Sequence, residues 1–548
     1  MVTAMAMVTA MVARLPKMLE GTTGHALFAG PLSRRYAVDP APVRDGRRYQ
    51  APASWLGVAL ICGAIPAAHA ENWRITPTLA VTETLTNNLY LNSTNRTSDL
   101  VTGITPGISI DGKGGRASLR LSYAFTEQIY ARESSSNGHQ NALTAIGTLE
   151  AIDDWLYIDA TGSISQQYLS AFGAISPSNA NVNRNQTETS SYSISPYIKG
   201  RFLTSTEYFL RYKGTTTSSQ SGLAPDLNSS EWVGRVNGLT GWGPLSWALD
   251  ASNVRSDYSR GQDYEATRYG LTLTYRINPQ WRVSLIGGQE SNNYVSLQQE
   301  THNTSGYGFV WTPGPRTELS ATQNRRFFGD GYDVSFSHRM PLSMVTYRAS
   351  RNVSFQPAGV GYTGQGSNFD AFYAIIAASN PGMAPDAVRE QVTQVLQARG
   401  LPADGTVVNG YLNDRPNLQT LQQLSFALLG ARNTVTLNMT ESEQQPLGLA
   451  NGVTNDYSLS NRTLQRGVGL IWGHQLTGLS TLSLSLTQQR SISYLENVPD
   501  SKTQGAYLLW STRISPKTQA NIGARRVIAD GASSYTESAL TGALSHSF

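Results

Sequence analysis

The chain has 548 residues, with 50 Gly, 26 Tyr and one Cys, a formal net charge of +4 and a mean hydropathy of −0.29. No apolar run reaches about 18 residues, which excludes a helical membrane protein, whereas a strand-built barrel stays open because every second residue of its wall faces a polar lumen. Residues 1–70 carry seven of the 42 basic and three of the 38 acidic residues, so the remainder is formally neutral and no basic nucleic-acid surface is indicated.

Met1 to Met18 repeats an MVTAM pattern and reads as an over-extended start. A basic cluster at Arg44 to Arg48 precedes an apolar run from Trp55 to Ile65, and Ala68-His69-Ala70 offers small residues flanking a cleavage point before Glu71. This is the pattern of a secretory signal, predicted to be cut between Ala70 and Glu71. The run is too short to span a bilayer. Cys62 lies inside it behind Ile61, where a lipoprotein signal wants a small residue. The mature chain therefore has no cysteine for a disulfide or a metal site.

From Trp73 onward, apolar and polar residues alternate with period two, the mark of half-buried strands. Ile75, Pro77, Leu79 and Val81 oppose Arg74, Thr76, Thr78 and Ala80. The pattern recurs at Ala117 to Phe125, Tyr269 to Ile277 and Leu482 to Leu486, and more weakly at Ala520 to Arg526. Short turns, such as Asp153-Asp154, Asn278 to Gln280, Pro341-Leu342 and Ser515-Pro516, alternate strictly with longer polar loops, including Ala171 to Glu188, Thr216 to Ser229, Glu290 to His302 and Glu441 to Asn461. Short periplasmic turns and long extracellular loops predict an all-β fold: a single large antiparallel transmembrane β-barrel across residues 71–548, with about 22 strands and a range of roughly 18 to 24. Trp73, Trp155, Trp242, Trp247, Trp281, Trp311, Trp472 and Trp510 lie near the first strand's start or a short turn, as a periplasmic aromatic girdle requires. The last strand, Tyr535 to Phe548, is expected to close the barrel antiparallel to Trp73 to Asn87, because an unpaired edge cannot exist in lipid.

One connection departs from the hairpin pattern. Across 357–415 the alternation stops and helical periodicity replaces it, at Phe369 to Ala378 and again at Pro385 to Arg399, where Val388, Val392, Val395 and Leu396 share a face and Gly400 marks the stop. The preceding strand runs upward, so this insertion belongs either at the extracellular mouth or inside the lumen. A plug or gate and a decorative external loop are both open.

The five histidines of the mature chain form no ligand set, Asp153-Asp154 suits a turn, and no nucleophile elbow or phosphate loop is present. No catalytic, cofactor or metal residue is assigned, and an enzyme is not expected. Candidate lumen-facing residues are Arg74, Arg116, Arg120, Gln128, Gln166, Arg276 and Arg282, with Tyr130 placed to stack on sugar rings, or these residues simply solvate a pore.

ITPTLAVTETLTNNLYLNSTNRTSDLVTGITPGISIDGKGGRASLRLSY (Ile75 to Tyr123) and NGYLNDRPNLQTLQQLSFALLGARNTV (Asn409 to Val435) resemble the outer-membrane β-barrel family associated with PEP-CTERM/exosortase systems, a branch of the β-barrel porins. The resemblance covers Trp73 to Phe548 and transfers no active site. It implies the outer membrane of a Gram-negative bacterium and a channel or accessory role in exopolysaccharide production and export. A structural barrel displaying loops to polysaccharide or protein partners, or a lumen-sited enzyme, is the alternative. Expected partners are outer-membrane lipid, the barrel-assembly machinery, polysaccharide and exopolysaccharide-export proteins. N-terminal sequencing of the mature protein should read Glu71 first, and a chain still carrying residue 60 would refute cleavage.

Overall fold

The computed structural model describes residues 72–548 except 203–204, 223–224, 355–366, 381–382, 384, 399–409, 413–414, 449–461 and 496–497. The signal segment, the Ala70/Glu71 cleavage point and Gly400 lie outside the described residues.

Alternating sequence becomes strand after strand: β1 (Asn72–Thr86), β2 (Asp99–Lys113), β3 (Ala117–Tyr130), β4 (Gly138–Ile152), β5 (Leu156–Tyr168), β6 (Gln186–Phe202), β7 (Thr206–Ser219) and β8 (Leu227–Leu239). β9 (Leu245–Tyr258), β10 (Tyr264–Arg276), β11 (Trp281–Asn292), β12 (Glu300–Gly314), β13 (Thr317–Arg326), β14 (Gly329–Arg339) and β15 (Ser343–Ser354) follow. Two helices, α1 (Ser367–Ser379) and α2 (Pro385–Ala398), precede β16 (Asn417–Leu429), β17 (Asn433–Pro446), β18 (Thr463–Gln475), β19 (Ser480–Ser493), β20 (Ser501–Ser515), β21 (Thr518–Gly531) and β22 (Tyr535–Ser547). Among the described residues these 22 strands form one antiparallel sheet, each bonded to its chain neighbours and β22 to β1. The chain is a closed transmembrane β-barrel.

The closing register runs from Thr78↔Ser547 to Thr86↔Ala539, and the Phe548 amide donates to the Pro77 carbonyl at 3.0 Å. Trp73 lies below this seam, paired only with Gly112 of β2. Strands in a barrel are staggered as well as tilted. The first residues of β1 therefore extend past the end of β22, and closure uses Thr78 to Thr86 rather than the whole expected stretch. Gly112 is where the Trp73 indole lies, and any Cβ there would collide with it.

Pairing places residues opposite each other on one face. Rows such as Ile75↔Ile110↔Leu121 and Leu249↔Leu271 thus mark the outer wall, together with Leu285, Leu540 and Leu544. These side chains are exposed in water, Leu285 at 68%, and lipid would bury them at roughly 1.5–3 kcal/mol each. A strand of 15 residues such as β1 spans about 50 Å, or roughly 38 Å when tilted, whereas the apolar band of such barrels is about 25 Å tall. The excess is on the extracellular side, where outward-facing ion pairs Arg466–Glu441 (2.8 Å) and Arg462–Glu443 (2.6 Å) begin.

This overshoot explains why the expected loops shrink: ladder hydrogen bonds need no apolar face, so strands run to Ser219, Asn292 and Pro446 through polar sequence. Nor is the alternation of loop lengths strict. β13 and β14 join through Phe327 and Phe328 alone, and only 532–534 separate β21 from β22. Gly329 (φ 91°) and Gly531 (φ 109°) supply the left-handed backbone these tight extracellular hairpins need.

Leu271→Arg should lower the unfolding free energy in lipid by about 2–4 kcal/mol, while Thr272→Arg, facing the lumen, should cost under about 1 kcal/mol. Urea titration of tryptophan fluorescence in liposomes reads both, and equal losses would contradict the assigned faces.

Candidate functional site

On β15–β18 the row Val345↔Phe426↔Leu437↔Leu470 is apolar and outward, so the neighbouring row Met344↔Ala427↔Thr436↔Ile471 faces the lumen. This inner row begins one residue beyond the start of β15, hence at the periplasmic end. The helical pair packs there. Phe369, Ala371, Phe372 and Ile376 of α1 and Val388, Val392 and Leu396 of α2 bury one another and Ala427, with Met344, Val395, Leu429 and Ile471 against them. Val388 and Val392 are 1% and 0% exposed. The valine face that the sequence singles out thus seals the helix pair, while α1 carries the contact with the wall. The insertion leaves β15 at the extracellular side and its helices reach down inside the barrel.

The wall beside them is polar. Thr434, Thr436, Asn438, Thr440 and Ser442 alternate inward along β17 and are buried. Asn438 Nδ2 donates to Asn368 Oδ1 of α1 at 3.3 Å, yet Thr436 Oγ1 and Asn438 Oδ1 are buried without a hydrogen-bond partner. The helix pair thus meets the wall through apolar side chains of β15, β16 and β18 and touches the polar row of β17 through Asn368.

A second inward element lies above. The β5–β6 loop, 169–185, crosses the inner rim of β1–β3, β21 and β22. Asn179 O accepts from Gln128, Ala180 O accepts from Tyr130, the Val182 amide donates to Leu89 O, and Tyr535 Oη donates to Ile175 O. Its anchor is Glu537, fully buried and facing inward. The carboxylate accepts from Arg525 (2.8 and 3.1 Å), Asn181 Nδ2 (2.9 Å) and Thr86 Oγ1 (2.8 Å). The end of the helical insertion joins the loop: Tyr411 bridges Tyr168 in parallel and packs with Ala171 and Phe172. β5 and β16 stand eleven places apart in the ring of 22, so Tyr411 sits beside a strand far from the one that its segment leads into.

Near β8–β17 a further cluster of Leu227, Tyr258, Tyr264, Tyr294, Leu418 and Leu447 gathers at the extracellular ends. Burial raises the Tyr294 hydroxyl above the ordinary tyrosine range, so this cluster stays uncharged.

The sequence candidates distribute unevenly over this interior. Arg74 and Arg120 flank Asp111 in one inward row, and Arg120 Nε donates to Asp111 at 3.2 Å. Arg276 and Arg282 sit directly opposite each other at the periplasmic rim, both exposed. Arg116 is not on the wall. It belongs to the turn before β3 and pairs with Asp153 of the next periplasmic turn at 2.5 Å. Gln166 lies on the outer face, because β5 turns Leu156, Ile158 and Ile164 outward at the same parity; there it pairs with Glu188 beside Asn141. Tyr130 is 4% exposed and its hydroxyl is spent on Gln128 and Ala180, so it holds the mouth loop and offers no ring face.

Sequence reading missed Glu537 and Asn181, 356 residues apart, and the inward stack Tyr157–Tyr197–Phe209 with ring centroids 5.2 and 5.6 Å apart and Lys199 over Tyr157 at 4.1 Å. The one available signal for Glu537 was a carboxylate in line with Ala539 and Thr541 on the polar side of the last strand.

No family model matches the chain, and no curated protein sequence matches it. Among solved structures it is similar to the siderophore receptor PirA from Acinetobacter baumannii, with a TM-score of 0.46 and 10% identity, covering 88% of this chain and 81% of that one. The FrpB iron transporter from Neisseria meningitidis (F5-1 variant) gives 0.43 and 9%, covering 86% and 81%. The siderophore receptor PirA from Pseudomonas aeruginosa gives 0.42 and 9%, covering 87% and 80%. Nothing about a ligand follows for this chain at such identities.

Replacing Glu537 by Ala leaves Arg525 uncompensated, and should lower the unfolding free energy by about 3–5 kcal/mol while speeding amide exchange across 169–185. Urea denaturation with hydrogen-exchange mass spectrometry measures both, and an unchanged loop would remove Glu537 as its anchor.

Proposed function

We propose that this protein is an outer-membrane channel of a Gram-negative bacterium, held shut by its own helical insertion, that acts as an accessory component of exopolysaccharide production and export. The observation that carries the channel reading is the polar inner wall of β17 beside the helix pair. A wall built of Thr434, Thr436, Asn438, Thr440 and Ser442 is suited to water, and the insertion packed beside it lies between two strands that pair directly with each other, so that its departure would not break the ladder. The outward apolar rows and the tryptophans near the periplasmic turns support the outer-membrane location. The exopolysaccharide role and the barrel-assembly, polysaccharide and export-protein partners rest on the sequence resemblance alone.

A second reading has one observation in its favour: the mouth loop is pinned by a buried ion pair (Arg525–Glu537, 2.8 Å), as a rigid display surface for glycan or protein partners would need. The two readings separate in planar bilayers. The wild-type barrel should be silent or rarely open, and both Val392→Asp and deletion of 367–398 should give steady conductance at least tenfold higher. A correctly folded deletion variant that still fails to conduct would refute the channel and leave the display barrel.

A further inference from the structure

Around Arg268 the lumen wall holds more positive charge than negative. Arg268 stands directly opposite Glu290 on β11 and Ser252 on β9, on the inward face. With Glu290, Asn292, Tyr294 and Arg326 it lines a cavity of ≈ 180 Å³.

Two carboxylates lie near it, Glu290 and Asp250, and both are taken by other arginines. Glu290 accepts from Arg326 Nε at 2.9 Å and Nη2 at 2.7 Å, and from the Phe327 amide at 2.7 Å. Asp250 accepts from Arg235 Nε at 2.5 Å. Three guanidinium groups thus meet two carboxylates. Arg268 is left with no hydrogen-bonded or ion-paired partner among the described residues, although it is partly buried. A guanidinium withdrawn from water without a partner is costly, and its planar fork of donors matches an oxyanion. The cavity has room for an oxyanion and the atoms that carry it.

We propose that this pocket is a binding subsite for one oxyanionic group, with Arg268 as its principal donor. The group is a carboxylate borne on an acidic sugar or a phosphate, and Asn292 and Ser252 stand beside it to hydrogen-bond the neighbouring atoms. The site does not require the helical insertion to move, so it stands whether or not the barrel conducts.

Isothermal titration of the full-length mature barrel in detergent at low ionic strength tests it, with sodium glucuronate, inorganic phosphate and uncharged glucose as probes. One anion should bind per barrel and glucose should not. Preference between glucuronate and phosphate identifies the source of the charge, and either preference supports the site. Arg268→Gln should weaken that binding at least tenfold, Arg268→Lys should weaken it less, and Arg490→Gln, on the outer wall, should leave it unchanged. Because Arg268→Gln removes an unpartnered charge, it should also fold and raise the melting temperature. Saturable binding of neither anion, or wild-type affinity in Arg268→Gln, would overturn the proposal; so would a marked fall in its melting temperature, which would reveal a structural partner for Arg268.

Discussion

In lipid, every backbone amide and carbonyl has to find its partner within the protein, because an unpaired group in hydrocarbon costs several kcal/mol. The seam between β1 and β22 is where that demand is met last, from Thr78↔Ser547 to Thr86↔Ala539. All else in the architecture follows from it. An even number of strands puts both ends of the sheet on the periplasmic side, and the stagger of the seam sets the tilt of the wall. The single register also decides, for every residue of every strand, whether it faces lipid or lumen.

Once parity is fixed, the interior is a polar cylinder wide enough to need filling, and this chain fills it with its own segments. The solution differs from end to end. At the periplasmic end the helix pair packs on Met344, Ala427, Leu429 and Ile471 and hydrogen-bonds Asn438 through Asn368. At the extracellular rim the β5–β6 loop is fixed by a carboxylate with all its neighbours in place: Arg525, Asn181 and Thr86. The first contact is mainly apolar packing and the second a closed set of hydrogen bonds around one buried ion pair.

The lumen wall repeats one device around its circumference, an arginine on one strand facing a carboxylate on a nearby one: Arg120–Asp111, Arg211–Asp159, Arg235–Asp250 and Arg326–Glu290. These pairs neutralise the wall while keeping it wet. Arg268, like Arg276 and Arg282 at the periplasmic rim, stands outside these pairs, and it gives the wall beside Glu290 a local charge that the neutral overall composition conceals.

The barrel, its strand number, most of the turns and the helical insertion were legible in the chain because each depends on local periodicity: two for a half-buried strand, 3.6 for a helix, and glycine or proline at turns. The lumen arginines Arg74, Arg120, Arg276 and Arg282 followed from the same alternation, and Gln166 would have followed correctly had Leu156, Ile158 and Ile164 been allowed to set its parity. What periodicity cannot carry is stagger and long-range contact. Trp73 fell outside the seam because shear is a property of the closed ring. Tyr130 became an anchor because a loop starting beyond residue 168 folded over it, and Glu537 met Asn181 across 356 residues of chain. The sequence by itself determined a lipid-facing closed sheet, since alternation encodes which side of each strand is apolar. Only the tertiary structure decided what occupies the lumen, because that depends on which segments the ring brings within reach of one another.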